Sequence, residues 1–256
     1  MTKPFLLVQL SDPHIGADWT NRDPAASWQA AIKSVADLPD RPDAVLVSGD
    51  LVDHGSDEEY VVVKSVLDTL DAPTFVLPGN HDDRGRLREH FGLPGTRDEP
   101  VDYAVDLGPV RLIVLDSIKP GADFGELRER QLDWLEAELS ASPGRGTLLA
   151  MHHPPFATGM PPWDAIGLTP SDRAALGEVI GRHPQVLRML AGHVHCPITS
   201  VLAGCVAMTA PSTYVQARPR FDINELDLSD ESAAFAVHAV DDGQVVSYFE
   251  PVTFPE

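Results

Sequence analysis

Five apolar runs of strand length in this chain each end in side chains able to hold a metal ion, and few folds bring five such ends together. Phe5–Leu10 leads into Ser11-Asp12-Pro13-His14, and Ala44–Val47 into Gly49-Asp50-Leu51-Val52-Asp53. Thr74–Leu77 leads into Gly79-Asn80-His81-Asp82, Thr147–Met151 into His152-His153-Pro154-Pro155, and Val186–Ala191 into Gly192-His193-Val194-His195. In an open α/β sheet the carboxyl ends of the strands gather at one edge, so five loops distant in sequence can converge there. Glycine before Asp50, Asn80 and His193 lets the backbone leave the strand sharply and approach the site closely. Carboxylates, imidazoles and one carboxamide suit zinc, iron, manganese or cobalt rather than copper(I) or an iron–sulfur cluster. Any single pair is as well explained by a helix cap or a satisfied core histidine; the ordered series is not.

Between the runs lie segments of helical character, at Ala25–Leu38, Glu58–Leu70, Arg84–Phe91, Glu126–Leu139 and Asp172–Arg182. Leu127, Leu132, Leu135 and Leu139 show the spacing of a helix face. With Val110–Leu115 as a further strand, the alternation predicts an α/β layered fold. After Gly192 the helical pattern stops, and Ile198–Leu202, Cys205–Thr209, Ala233–Val240 and Val245–Phe249 read as antiparallel strands, with Asp242-Gly243 as a hairpin turn. No linker or repeat separates the halves, so one domain over 1–256 is expected. The Gly- and Pro-rich segment Gly159–Pro170 reads as a functional loop or as plain surface.

At 256 residues and 43% hydrophobic content the chain can bury a sizeable core. Acidic residues outnumber basic ones 39 to 19, a formal charge of −20, so no basic face exists for sequence-independent nucleic-acid binding. Two cysteines, Cys196 and Cys205, are too few for a disulfide framework and favour a reducing compartment. Phe5–Leu10 is too short for a signal segment or a membrane span, and a cytoplasmic protein is expected.

In order, the blocks D-x-H, G-D-x-x-D, G-N-H-D, H-H-P-P and G-H-x-H resemble the calcineurin-like metallophosphoesterase superfamily over Asp12–His195. Within it the chain is similar to the bacterial phosphodiesterases that include glycerophosphodiesterases and class III cyclic-nucleotide phosphodiesterases. That similarity rests on His152-His153-Pro154-Pro155-Phe156, on Gly125-Glu126-Leu127 to Gln131-Leu132-Asp133-Trp134-Leu135, and on Ala210-Pro211-Ser212-Thr213. It implies a four-layer α-β-β-α sandwich of two mixed β-sheets flanked by helices. A metal-site core over 1–195 would be followed, over 196–256, by antiparallel strands completing the second sheet. It further implies that Asp12, His14 and His195 hold one metal, that Asn80, His152 and His193 hold the other, and that Asp50 bridges both. A bridging carboxylate holds two divalent ions ~3.5–4 Å apart, a spacing that clamps attacking and leaving oxygens of a phosphoryl group. Two carboxylates against two divalent cations leave a positive pocket, so a protein at −20 can still bind an anionic ester.

His81 follows a ligand directly, and is expected to face the pocket as leaving-group acid or charge stabiliser. In related phosphatases the second aspartate of G-D-x-x-D orients this histidine; Asp53 stands there, with a turn carboxylate as its plain alternative. His153 is expected to orient a ligand or to bond backbone, Asp82 and Asp83 to begin the next helix, and His90, His183 and His238 to have surface or core roles. The reading is a binuclear-metal phosphodiesterase that turns a small phosphodiester into a phosphomonoester and an alcohol, using water activated at the two ions. The alternatives are a phosphomonoesterase or nuclease on the same scaffold, or an inactive metal-binding module, and self-association into a homo-oligomer is expected as a possibility. Substrate contacts are expected from Asn80, His81, His54, Phe156, Met160 and Trp163. In related serine/threonine phosphatases the second block continues D-R-G and the third reads R-G-N-H-E; here His54 and Pro78 replace the arginines that suit a dianionic monoester, unless Arg173 or Arg218 restores a clamp.

Overall fold

The computed structural model describes residues 3–229 and 231–254; residues 1, 2, 230, 255 and 256 of the expected single domain lie outside the described residues. The first half runs β1 (Phe5–Leu10), α1 (Pro24–Ala36), β2 (Ala44–Ser48), α2 (Asp57–Leu67), β3 (Thr74–Leu77), α3 (Arg84–Phe91), β4 (Tyr103–Asp106) and β5 (Arg111–Val114). It continues α4 (Glu129–Ser140), β6 (Thr147–Ala150), α5 (Pro161–Ala165), α6 (Pro170–Arg182), β7 (Val186–Ala191), β8 (Thr199–Leu202) and β9 (Cys205–Thr209). Two short strands, β10 (Gln216–Ala217) and β11 (Leu228–Ser229), precede the hairpin β12 (Ala234–Asp241) and β13 (Gln244–Pro251).

Local chemistry sets these boundaries. Asp23 caps α1 through Ala25 N–H with Pro24 at the first helical position, and Ser56 and Glu59 form a reciprocal capping box on α2. Asp242 and Gly243 both take positive φ (45° and 74°), the conformation a tight right-twisted hairpin requires, so the expected turn stands between β12 and β13. β4 escapes a reading of apolar runs because it is an edge strand only partly buried, with an exposed Asp106 at its end.

Two sheets stack, with strand orders β13-β12-β1-β2-β3 and β4-β5-β6-β7-β9-β8. The alternation of side chains along each strand divides the core into layers. Val8, Leu10, Val45 and Val47 pack with Trp28, Ile32 and Val63 of α1 and α2. Their neighbours Leu7 and Leu46 turn the other way, against Leu112, Leu148 and Leu190 of the second sheet. On that sheet's far face Ile113, Leu149 and Met189 meet Leu135, Leu139 and Ile180 of α4 and α6. The expected four-layer α-β-β-α sandwich is therefore the fold observed.

The expectation that residues 196–256 complete the second sheet holds only for β8 and β9. The hairpin β12-β13 joins the first sheet, with β12 antiparallel to β1. The edge of β1 opposite β2 needs a partner for its backbone groups, and the segment after β9 carries the chain across to it. There Thr213 N–H donates to Ser11 O (2.9 Å), the Ser212 hydroxyl donates to Asp12 O (2.8 Å), and Ala234 N–H donates to Ser212 O (3.1 Å).

Within this junction His238 of β12 is fully buried between Gln9 and Ser247 (3.1 and 2.8 Å). Burial, with Arg188 adding to it, lowers its pKa to about 3. The folded state thus holds His238 neutral while the unfolded chain takes up a proton near pH 6.5, so its contribution is complete above about pH 6.5 and declines as pH falls toward 3. The slope is on the order of 1 kcal/mol per pH unit. Urea unfolding of the wild type and His238→Gln between pH 4 and 7 checks this: the variant should show the shallower acid loss, and parallel curves would refute the assignment.

Candidate metal centre

All seven side chains expected as ligands meet where the carboxyl ends of the two sheets face each other. Asp12, His14 and His195 place their ligand atoms within 4.8 Å of one another, as do Asp50, His152 and His193. Asn80 Oδ1 lies 3.2 Å from His152 Nε2 and 3.1 Å from His193 Nδ1. Asp50 reaches both groups, 3.5 Å from His14 Nε2 and 3.1 Å from His152 Nε2. Asp12, His14, Asp50, His193 and His195 all adopt positive φ (44–72°), joined among the described non-glycine residues only by Ala203 and Asp242. Left-handed backbone is disfavoured for such residues, and its concentration on one constellation marks a site that the surrounding structure holds under strain.

Close backbone approach makes the convergence possible. A Cβ on Gly79 would lie 2.2 Å from Asp50 N, and one on Gly192 would lie 2.2 Å from Ser11 Oγ. Both positions therefore admit only glycine without displacement of the ligand loops.

Hydrogen bonding orients three of the four imidazoles with a bare nitrogen inward. His195 Nδ1–H donates to Val215 O (3.0 Å), His152 Nδ1–H to Ser48 O (2.9 Å), and His14 Nδ1–H faces Asp53 Oδ1 (3.3 Å). A carbonyl or carboxylate partner can only accept, so in the neutral rings Nε2 carries a lone pair. His14 Nε2 and His195 Nε2 then stand 3.1 Å apart, lone pair to lone pair. His152 Nε2 likewise meets only acceptor oxygens of Asp50 and Asn80. Buried His193 Nε2 has no hydrogen-bond partner among the described residues. Such an arrangement is repulsive without positive charge between the groups, and it fits divalent metal ions.

Burial pushes the Asp12 carboxyl up to about 6, partly offset by His152. Burial acts the same way on Asp50, but His152, His14 and His81 outweigh it and hold that carboxyl well below its usual range. Burial lowers His14, His193 and His195, the last to about 4, while Asp50 outweighs burial at His152 and raises it to about 9.

His81 lines the cavity beside the ligands. Its ring also comes within 4.8 Å of His14 and Asp50. Its Nδ1–H donates to Asp53 O (3.0 Å) and stands 3.3 Å from Asp53 Oδ1, leaving Nε2 free. Burial alone would lower this imidazole, but the carboxylates of Asp53 and Asp50 raise it to about 10. Asp53 touches both His81 and His14, which hold its carboxyl below the usual range against the effect of burial. Asp82 corrects the helix-start expectation. It is buried, accepts from Gly79 N–H (2.8 Å), Leu51 N–H (3.2 Å) and Tyr60 O–H (2.9 Å), and so braces the Asn80-His81 turn. Asp83 does cap α3. His153 receives a hydrogen bond from Ser117 O–H and donates to Asp123 O (2.9 and 3.0 Å), kept neutral by burial, which pushes it down to about 3.

A cavity of about 280 Å³ opens over the ligands, walled by Trp19, Trp163, Ile166, Leu226 and Leu228. Of the residues expected to contact substrate, Asn80, His81 and Trp163 line it. Phe156 and Met160 do not: Phe156 is packed among Leu127, Leu168 and Leu176, and Met160 among Val194, Cys196 and Ala217. Apolar side chains on a loop can turn into a core as readily as toward a ligand. His54 is exposed, faces Glu59 (2.8 Å) and lines a neighbouring cavity with Asn80 and His81. Arg218 pairs with Glu231 (3.6 Å), and among the described residues no arginine or lysine lines the apolar cavity. Trp19, with its ring 4.3 Å from His14, was not anticipated; the sole signal was an aromatic five residues past the D-x-H block.

Facing sheets whose strand ends hold two ligand clusters joined by one carboxylate define a protein built around a binuclear metal centre. The chain matches the family model of calcineurin-like phosphoesterases over residues 5–197 and belongs to that family. It is 33% identical to the "Probable glycerophosphodiester phosphodiesterase GpdQ" of Arcobacter nitrofigilis over 81% of this chain and 78% of that one. It is also 33% identical to the 3′,5′-cyclic adenosine monophosphate phosphodiesterase CpdA of Pseudomonas aeruginosa, over 84% and 78%. Among solved structures, a dimetal phosphatase from Danio rerio superposes with a TM-score of 0.76 over 99% of this chain and 100% of that one, at 18% identity, a likeness of fold.

Proposed function

We propose that this protein hydrolyses small phosphodiesters, of the glycerophosphodiester or cyclic-nucleotide kind, to a phosphomonoester and an alcohol. The observation that carries the reading is the pair of ligand clusters meeting at Asp50, with their bare imidazole nitrogens turned on one another. Asp12, His14, Asp50 and His195 would hold one ion, and Asp50, Asn80, His152 and His193 the other. Iron, manganese, zinc or cobalt ions there would supply positive charge against the phosphoryl oxygens. His81, protonated and held through Nδ1 by Asp53, presents Nε2–H to the oxygen of the departing alcohol. Asp53 positions that ring. A cytoplasmic setting suits the two free, buried cysteines, and no helix among the described residues is long and apolar enough to cross a membrane.

A diester carries one charge near neutral pH and a monoester close to two. Among the described residues no guanidinium lines the apolar cavity, so of its side chains only His81 would join the bound ions against the second charge. At matched metal loading, kcat/KM for bis(4-nitrophenyl) phosphate should exceed that for 4-nitrophenyl phosphate at least tenfold, the order expected for one missing charge-assisted contact. A larger value for the monoester would make the protein a phosphatase.

A further inference from the structure

On its other side His81 borders a second cavity of about 360 Å³, which shares Asn80 and His81 with the apolar one. The two cavities differ in character. Four guanidinium or ammonium groups (Arg84, Arg86, Arg97, Lys119) line the second, against the carboxylates of Asp82, Asp83 and Asp98, in a chain whose acids outnumber its bases 39 to 19. Two of the four are committed to structure: Arg84 donates to buried Asp116 (2.6 Å), and Arg86 to Gly55 O (2.8 Å). Arg97 and Lys119 are open to solvent. Arg97 lies flat on Gly85, where a Cβ would fall 2.6 Å from Arg97 Cγ, and its guanidinium is a long 3.6 Å from Asp83. Lys119 Nζ sits 4.6 Å over the Phe124 ring and 3.5 Å from Glu126. Each cation is thus placed by a packing contact at the cavity's rim, Arg97 with only one long ion pair and Lys119 leaning toward Phe124 and Glu126 just outside it.

We infer that this cavity is a second anion subsite, taking a phosphate carried by the ester substituent that points away from the apolar cavity. Resting on the phosphodiesterase reading, the inference makes the preferred substrate an unsymmetrical diester. One substituent is planar and apolar, against Trp19 and Trp163; the other bears a further phosphate, held by Arg97 and Lys119 next to the reacting phosphorus.

The test uses two probes with one leaving group, thymidine 5′-(4-nitrophenyl phosphate) and the same compound with an added 3′-phosphate, on the metal-loaded protein at fixed ionic strength. The wild type should favour the 3′-phosphorylated probe about tenfold or more in kcat/KM, as charge-assisted contacts warrant, and Arg97→Gln/Lys119→Gln should bring the ratio close to one. In parallel, calorimetric Kd values for thymidine 3′,5′-bisphosphate and thymidine 5′-monophosphate should differ by a similar factor in the wild type and converge in the double variant. Equal affinity of the wild type for the two nucleotides, or an advantage that survives the double substitution, overturns the subsite. An affinity difference present in the wild type and lost in the double variant, without turnover of either probe, upholds the subsite and removes the phosphodiesterase reading instead.

Discussion

Asp50→Asn is expected to lower phosphodiester hydrolysis by at least about 10³-fold, above the 10²–10³ commonly lost with one oxyanion donor, and to reduce bound metal from two ions to about one. Among the described residues Asp50 is the one carboxylate within reach of both ligand groups, through His14 on one side and His152 on the other. Without its charge only Asp12, which stands in one group alone, offsets repulsion between two divalent ions at the close spacing phosphoryl transfer requires. Asparagine is chosen because Asp50 sits at φ 47°, a conformation asparagine tolerates and alanine does not. It also preserves an acceptor for the backbone N–H of His81, which donates to Asp50 Oδ1 at 2.9 Å. Activity and metal content are measured on the same preparation by turnover and elemental analysis. Near-wild-type rates with two ions bound would falsify the bridging role.

His81→Ala is expected to keep both metal ions while slowing turnover by about 10²–10⁴-fold, the range of general acid–base catalysis. The loss should be steepest for poor leaving groups, since a nitrophenolate departs with little help from a proton and an alkoxide does not. His81 is suited to the task because its Nδ1 is occupied by Asp53 while Nε2 faces the cavity. Asp53→Asn should act through that orientation and cost less, about 10–100-fold. A leaving-group dependence as flat in His81→Ala as in the wild type would assign the residue to charge stabilisation; loss of an ion would make it a ligand.

The seven ligand side chains were legible because each is a chemically distinctive residue at the end of an apolar run, and the parallel strands within each of the two facing sheets end at one edge, where the ligands meet. The five longer helices were legible to within a few residues, as with Arg84–Phe91, where Asp83 and Gly92 supply the cap and the left-handed terminus, whereas the short α5 lies inside the segment read as a loop. Asp82 was not: its neighbour Asp83 has the same side chain in the same acidic pair, and only the packing of Tyr60 against the loop makes one a brace and the other a cap.

What the sequence by itself determined was the donor set and its order along the chain, since coordination demands particular atoms and the strand–loop pattern states where they stand. The tertiary structure decided everything that depends on apolar surface. Phe156 and Met160 went to the core while Trp19, Leu226 and Leu228 became cavity walls, and β12 paired with β1 instead of extending the second sheet. Burial of apolar area is non-directional, and backbone pairing accepts any strand, so neither names its partner in the order of residues. Only the packed chain, in which Ser212 and Thr213 tie the crossing segment to Asp12 and Ser11, selects among the arrangements those forces allow.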